Sequence, residues 1–162
     1  MKETASRPPW WKGARGEWWV AGQGVLLAAI ALAPAAWRWS WPAPAAWRIV
    51  GAACGLTGAA LAWRAIRELG PSLSPFPVPR QQAILVRSSI YARARHPIYG
   101  GLIMAAAGWA LWRTSGLHLA LAAVFAAYMA AKASREERFL LERFPDYAEY
   151  RSKTARFIPG LY

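Results

Sequence analysis

The chain has 162 residues, a formal net charge of +12, 56% apolar residues and 11 tryptophans. Its length suits one domain, and its single cysteine, Cys54, excludes a disulfide framework and a cysteine-based metal site. A basic chain can indicate nucleic-acid binding, but here the basic residues lie between long uncharged runs. The charge is therefore interpreted as membrane topology and contact with anionic lipid, and no nucleic-acid partner is expected.

The first half of the chain predicts a basic arm followed by two apolar helices. Residues 1–17 are polar and basic, and residues 18–69 carry the first two helices, over about 18–36 and 46–69. Four prolines then fall within residues 70–80, which excludes a regular helix there because proline fixes φ and lacks an N–H donor.

The second half predicts two more apolar helices and a short amphipathic one. Pro97 suits the first turn of a third helix, and a fourth is expected from about Ser115 to Arg143, followed by a short helix over about 147–154. A helix needs about 20 apolar residues to cross a bilayer. The fold is therefore predicted to be an all-α polytopic membrane protein, a single membrane domain over 1–162 with about four transmembrane helices and a cytoplasmic C-terminal helical segment.

The distribution of charge predicts the orientation. With four crossings, all eight acidic residues and all but three of the 20 Lys and Arg residues share one side, the exceptions being Arg38, Arg48 and Arg113. By the positive-inside rule, both termini are cytoplasmic. The Ala-, Arg- and Trp-rich composition fits a GC-rich bacterial source, so the expected location is the bacterial inner membrane.

Polar residues cluster where the last two long helices meet the cytoplasmic side, although such residues are costly beside lipid. Arg95, His96 and the start of the third helix favour a carboxylate or phosphate, whereas Glu136 and Glu137 favour an ammonium or sulfonium. A site with both signs fits a zwitterionic cofactor. Each residue alone also fits a plain structural role: a topology anchor, a helix start, or a solvated helix face paired with Lys132 or Arg135. His118, near the other end of the fourth helix, is expected to be exposed or interfacial.

Several motifs occur in an order and spacing that resemble a known family. They are Arg95-His96-Pro97-Ile98-Tyr99-Gly100, Glu136-Glu137-Arg138-Phe139-Leu140, Phe144-Pro145-Asp146-Tyr147-Ala148-Glu149-Tyr150, and Arg156-Phe157-Ile158-Pro159. Together with the Gly70–Pro77 loop, they resemble the isoprenylcysteine carboxyl methyltransferase and phospholipid methyltransferase family over residues 70–162. Members often carry Gly-x-Tyr-Arg where this chain has Ser89-Ile90-Tyr91-Ala92, which leaves the cofactor contacts of that turn and the choice of substrate open.

The resemblance implies an integral-membrane methyltransferase that uses S-adenosylmethionine. The acceptor it implies is lipophilic or amphiphilic, an isoprenylcysteine-type carboxylate or a lipid amine, and residues 70–162 form the cofactor-binding and catalytic half. It implies cofactor contacts from His96, Pro97, Tyr99, Gly100, Glu136 and Tyr150, with Glu137 helping to hold the methionine end or the ribose. Arg95, Glu137 and Arg151 are the predicted catalytic residues, Arg95 and Arg151 shaping the pocket or its substrate mouth, and no metal is expected.

Two other functions stay open at this point. One is a membrane reductase using NADPH, since sterol and steroid reductases have a similar C-terminal architecture, and the other is a non-catalytic membrane scaffold. A soluble Rossmann-type methyltransferase is not expected, because the chain lacks a glycine-rich strand–turn–helix nucleotide site. Membrane lipids are expected partners. The acceptor, the choice between O- and N-methylation and the oligomeric state cannot be assigned from these residues.

Overall fold

A computed structural model describes residues 16–39, 44–78 and 82–159, and over these residues the chain is helical and contains no β-strand. The elements are α1 (Glu17–Leu32), α2 (Pro44–Leu69), α3 (Pro97–Arg113), α4 (Gly116–Arg143) and α5 (Tyr147–Lys153), with short 3₁₀ turns at Gly70–Ser72 and Ser89–Ala92. The all-α class is therefore confirmed. The predicted basic arm lies outside the described residues, except for Gly16 and Glu17.

Two helical segments are long and apolar enough to cross a membrane, Pro44–Ser72 and Gly116–Arg143. Helix α1 is apolar but has only 16 residues, and α3 has 17. Both fall at or below the short end of the length needed to span a bilayer without tilting or thinning it. The count of four crossings therefore stays a prediction.

Glycines let α2 and α3 pack closely. A Cβ added at Gly58 would lie 2.5 Å from the carbonyl oxygen of Gly101, and one added at Gly101 would lie 2.5 Å from that of Gly58. Small residues at such positions let two helix backbones approach, which is how many membrane helices associate. This contact fixes the start of α3, and so His96, relative to α2.

An apolar core joins α1, α3 and α4, and large apolar side chains point outward. The core contains Ile30, Ala106, Ala122, Phe125 and Met129, all buried. The exposed apolar side chains include Val25 on α1, Ile49, Leu56 and Trp63 on α2, and Val124 on α4. Apolar faces that are exposed on several helices are typical of a surface covered by lipid or a partner.

The turn between α3 and α4 is buried, so the prediction of an exposed His118 is wrong. Ser115 is the N-cap of α4 and accepts a hydrogen bond from the backbone N–H of His118 at 3.4 Å. The Ser115 hydroxyl also donates to the carbonyl oxygen of Ala36 at 2.7 Å, and Gly116 donates its N–H to the carbonyl oxygen of Trp37. The segment after α1 therefore packs on this turn and covers His118, which has no exposed surface.

The segment between α2 and α3 forms no α-helix over its described residues, 70–78 and 82–96, as its prolines predict. After the 3₁₀ turn, the hydroxyl of Ser72 accepts the N–H of Ile84 at 3.1 Å. Glu68, near the end of α2, accepts hydrogen bonds from the hydroxyl of Ser89 at 2.7 Å and from the N–H of Ile90 at 3.1 Å. These bonds hold the segment beside the start of α3.

Candidate functional site

The C-terminal segment pairs with the residues that lead into α3. Ala94 and Ala155 form an isolated parallel bridge. Arg95 donates its backbone N–H to Ala155, and His96 donates its own to Arg156, both at 2.9 Å. His96 is the N-cap residue of α3, and Pro97 is its first residue, where the missing N–H of proline costs nothing. The residues before α3 and the C-terminal segment are thereby held together by backbone hydrogen bonds.

Glu137 is a buried carboxylate surrounded by cationic groups. Its Oε1 lies 3.1 Å from Nε of Arg95 and 3.2 Å from Nε2 of His96. Nε of Arg156 lies 3.6 Å from Oε1, and Nε of Arg151 lies 3.6 Å from Oε2. Only 3% of Glu137 is exposed. A buried carboxylate has to be paired in this way, so the alternative of a solvated helix face is excluded for Glu137.

Glu136 faces a different set of partners. Tyr99 donates its phenolic O–H to Oε2 of Glu136 at 2.8 Å, and Nδ1 of His96 lies 3.8 Å from the same oxygen. The rings of His96 and Tyr99 are stacked, with centroids 5.3 Å apart, because residues at i and i+3 share a helix face. The ammonium of buried Lys132 lies 5.3 Å from the Tyr99 ring centroid and donates to the side-chain oxygen of Gln23 at 2.6 Å.

These groups open onto a cavity that we call the main cavity, because most of the predicted site residues line it; it has about 740 Å³ of empty space counted to its open mouth. The polar lining groups include Arg95, His96, Tyr99 and Glu136. The apolar lining residues include Ile84, Leu85, Val86, Leu140 and Phe144.

Three further tyrosines line the main cavity: Tyr91, Tyr147 and Tyr150. Tyr150 donates its hydroxyl to the carbonyl oxygen of Tyr91 at 2.6 Å, and Tyr91 donates to that of Ala65 at 3.1 Å. Burial raises the pKa of Tyr150 to about 12 and also raises the pKa values of Tyr91 and Tyr147 above the usual tyrosine range. All three hydroxyls are therefore protonated donors at neutral pH.

Tyr147 is the one of these tyrosines whose hydroxyl is buried without a hydrogen-bond partner among the described residues. An orphaned donor is costly unless a ligand or water completes it, so its place in the cavity lining suits a polar ligand. Tyr147 is not among the site residues predicted from the sequence. Its i, i+3 spacing to Tyr150 was the available signal.

The structure brings most of the predicted site residues to the main cavity. Those that line it are Arg95, His96, Pro97, Tyr99, Glu136 and Tyr150. Glu137 and Arg151 line a separate pocket instead. Gly100 packs against the C-terminal segment, since a Cβ there would lie 2.6 Å from the carbonyl oxygen of Phe157. The individual roles of all nine residues stay predictions, and within the described part of the chain no cluster of three or more His, Cys, Asp or Glu suits a metal.

The fold is that of a membrane-like helical protein, and a polar cavity lies at one end of its helices. Residues 46–147 match the phospholipid methyltransferase family. The chain belongs to that family, which confirms the resemblance drawn from its motifs. It is a member of a family of membrane methyltransferases.

A relative with a curated name has also been found. The chain is 29% identical over 142 residues to the cobalt-zinc-cadmium resistance protein CzcN of Cupriavidus metallidurans (strain ATCC 43123 / DSM 2839 / NBRC 102507 / CH34). The match covers 84% of this chain and 59% of that relative. The chain therefore spans about three-fifths of the length of the relative it matches.

Proposed function

We propose that this protein is an S-adenosylmethionine-dependent methyltransferase that acts on a lipophilic or amphiphilic acceptor at the membrane. The observation that carries the proposal is the main cavity itself. Its lining combines carboxylate, guanidinium, imidazole and phenol groups with apolar side chains. Membership of the phospholipid methyltransferase family supports the reaction class.

The residues of the main cavity suit the charges of this cofactor. S-adenosylmethionine is zwitterionic at its methionine end, and its sulfonium supplies the electrophilic methyl group when it is bound. Arg95 and the N-terminus of α3 suit the carboxylate, and Glu136 suits the ammonium or sulfonium. The free hydroxyl of Tyr147 is a further donor for the ribose or the carboxylate.

Glu137 has a supporting role in this proposal. Its Oε1 already lies 3.1 Å from Nε of Arg95 and 3.2 Å from Nε2 of His96, so Glu137 is not free to act as a base toward an acceptor. Glu137 fixes the orientation of the His96 ring and the Arg95 guanidinium without lining the main cavity itself. Positioning of this kind accelerates methyl displacement, because the reacting atoms have to be held in line and shielded from water.

The acceptor in this proposal enters from the lipid side. Ile84, Leu85 and Val86 line the main cavity, and Ile84 is 71% exposed. An exposed apolar rim beside membrane-type helices suits an acyl or prenyl chain. A carboxylate acceptor needs no base, whereas an amine has to lose a proton first, and His96 is the titratable group placed to take it.

Calorimetric titration of the detergent-purified protein with S-adenosylmethionine and S-adenosylhomocysteine tests the cofactor. We expect micromolar binding and at least a tenfold loss of affinity in Glu136→Gln. Glu142→Gln is the matched control, because Glu142 is an exposed residue of the same helix. Absence of binding by a folded wild type, or binding of NADPH in its place, would refute the proposal.

The acceptor is tested by transfer of a labelled methyl group into vesicles. Phosphatidylethanolamine vesicles probe a lipid amine, and a farnesylated cysteine analogue probes a carboxylate. We expect labelling of one class and not of both, because the two acceptors differ in their charge before transfer. If the protein binds the cofactor but labels neither class, the proposed acceptor is refuted and the proposed cofactor is not.

We also place the main cavity on the cytoplasmic side of a bacterial inner membrane. The basic residues at this end of the described helices support that orientation through the positive-inside rule. Reporter fusions at the two ends of the chain test it: a cytoplasmic reporter is expected to be active at both, and a periplasmic reporter at neither.

A further inference from the structure

The two neighbouring acids Glu136 and Glu137 face different spaces. Successive residues of an α-helix are about 100° apart, so Glu136 and Leu140 line the main cavity, whereas the next stripe of α4 lines a second pocket. We call this second space the basic pocket. Its polar lining residues are Arg95, Ser134, Glu137, Arg138, Arg151 and Arg156. It has about 700 Å³ of empty space counted to its open mouth.

The charges in the basic pocket do not balance. Four guanidinium groups meet a single carboxylate, that of Glu137, which leaves an excess of three positive charges. The contacts of Arg151 and Arg156 with that carboxylate are 3.6 Å long, beyond a good hydrogen bond. Like charges brought together in this way repel one another unless an anion joins them.

Donor groups in the basic pocket are also left without acceptors. Nε of Arg156 is buried and has no hydrogen-bond partner among the described residues, while its Nη2 donates to the hydroxyl of Ser134 at 2.5 Å. Arg138 is exposed, and within the described ranges no carboxylate pairs with it. Buried orphan donors cost free energy, and an oxyanion at this position would satisfy them.

Phosphate is the anion that suits this set of groups. The planar guanidinium fork matches the geometry of phosphate oxygens and stays charged at every physiological pH. The pocket lies on the polar end of α4, a helix long and apolar enough to cross a membrane, where the phosphates of lipid headgroups are concentrated. Basic pockets at such positions recognise anionic headgroups.

We propose that the basic pocket binds a phosphate group, most directly that of an anionic lipid headgroup, separately from the cofactor in the main cavity. Arg138 comes from α4, Arg151 from α5 and Arg156 from the C-terminal segment. A bound phosphate therefore joins three parts of the chain. It holds the C-terminal segment, whose backbone pairs with Arg95 and His96, against α4.

Binding of defined lipids to the detergent-purified protein tests this site. Native mass spectrometry with phosphatidylglycerol and with phosphatidylcholine measures how much of each lipid the protein retains. The melting temperature, measured as inorganic phosphate is added, shows whether a soluble phosphate also binds. The variants are Arg138→Gln and Arg156→Gln. Arg135→Gln is the matched control, because Arg135 lies on the same helix, is exposed and does not line the pocket.

We expect phosphatidylglycerol to be preferred over phosphatidylcholine, and each of the two variants to lose at least tenfold in affinity while Arg135→Gln keeps it. Arg138→Gln keeps the test valid, because Arg138 is exposed and pairs with no carboxylate of the described residues, so its side chain adds little to folding. A second outcome would also support the site: inorganic phosphate raises the melting temperature of the wild type but not of Arg138→Gln, and the wild type retains the two lipids equally. The bound phosphate would then come from a soluble molecule. Equal behaviour of all three variants, or no response to either probe, would overturn the proposal.

Discussion

Two buried histidines, one at each end of the helices, have different surroundings. His96 caps α3 and is 6% exposed, and His118 lies in the first turn of α4 and is fully buried. The ring of His96 faces Glu137 at 3.2 Å and Glu136 at 3.8 Å. The ring of His118 meets the Ser115 hydroxyl at 2.9 Å through Nδ1, and its Nε2 has no partner among the described residues.

The comparison shows which features indicate a site. Burial and a place at a helix start are common to both histidines, so neither feature is decisive. His96 faces two carboxylates and lines the main cavity. His118 instead lies under the segment that follows α1, where Gly116 bonds to the carbonyl oxygen of Trp37. We therefore interpret the end of the helices at His96 as the functional one. At the other end, we interpret His118 as a structural residue of the packed turn.

The largest expected effect comes from removing the carboxylate that anchors the His96 end. Glu137→Gln leaves the guanidinium groups of Arg95, Arg151 and Arg156 facing one another around a neutral side chain. Breaking a buried ion pair from one side costs about 3–5 kcal/mol, so we expect a large drop in melting temperature. Glu142→Gln is the control, and an equal melting temperature for the two variants would contradict the role of Glu137 as an anchor.

A smaller effect is expected from crowding the contact between α3 and the C-terminal segment. In Gly100→Ala the new Cβ would lie 2.6 Å from the carbonyl oxygen of Phe157, and such overpacking costs about 1–3 kcal/mol. The counterpart at the other end is Gly116→Ala, whose Cβ would lie 3.2 Å from Cβ of Trp37. We expect Gly100→Ala to lower both the melting temperature and the cofactor affinity.

Gly116→Ala is expected to change stability less than Gly100→Ala, because its contact is longer and alanine favours helix over glycine by up to about 1 kcal/mol. Its cofactor affinity should stay at the wild-type value. Loss of cofactor affinity in Gly116→Ala would show that the two ends of the helices are coupled.

The two histidines can be compared directly with one substitution. Asn keeps a polar atom near the Nδ1 position and removes Nε2. We expect His96→Asn to weaken S-adenosylhomocysteine binding about tenfold, or about 1.4 kcal/mol, because the contact with Glu137 is lost. His118→Asn should lower the melting temperature and leave the affinity unchanged. Calorimetry on both variants checks this, and equal losses of affinity would break the comparison.

Local patterns in the sequence predicted the helices well. Pro97 and the charge-free run after it predicted α3, which spans Pro97–Arg113. Phe144-Pro145 predicted the end of α4, which falls at Arg143. These signals work because they act within a few residues of the chain: proline fixes its own φ and removes its own donor. The number of membrane-spanning helices is harder to predict, since a tilted helix or a thinned bilayer changes the length that a helix needs to cross.

The partners within the site could not be predicted from the sequence. Lys132 and Arg135 were the local candidates for pairing with the two acids, whereas Glu137 pairs with Arg95 and Arg156 from distant parts of the chain. The bridge between Ala94 and Ala155 is equally remote. Helix periodicity reports neighbours at i+3 and i+4 and carries no information about such pairings. The separation of Glu136 and Glu137 into two spaces therefore required the structure.

The smallest expected effect concerns a hydrogen bond at the His96 end. Tyr150→Phe removes the 2.6 Å bond to the carbonyl oxygen of Tyr91, and a hydrogen bond of this kind contributes about 0.5–1.5 kcal/mol. Because burial raises the pKa of Tyr150 to about 12, against about 10 in the unfolded chain, the protonated phenol stabilises the folded state. That stabilisation is complete below pH 10 and is lost as the pH rises toward 12. The melting temperatures of wild type and Tyr150→Phe should therefore differ by a constant amount from pH 6 to 9. Above pH 10 the advantage of the wild type should shrink and then reverse, because a rise of two pKa units corresponds to about 2.7 kcal/mol, more than the hydrogen bond contributes. A constant difference up to pH 12 would show that the hydroxyl is not protected by burial.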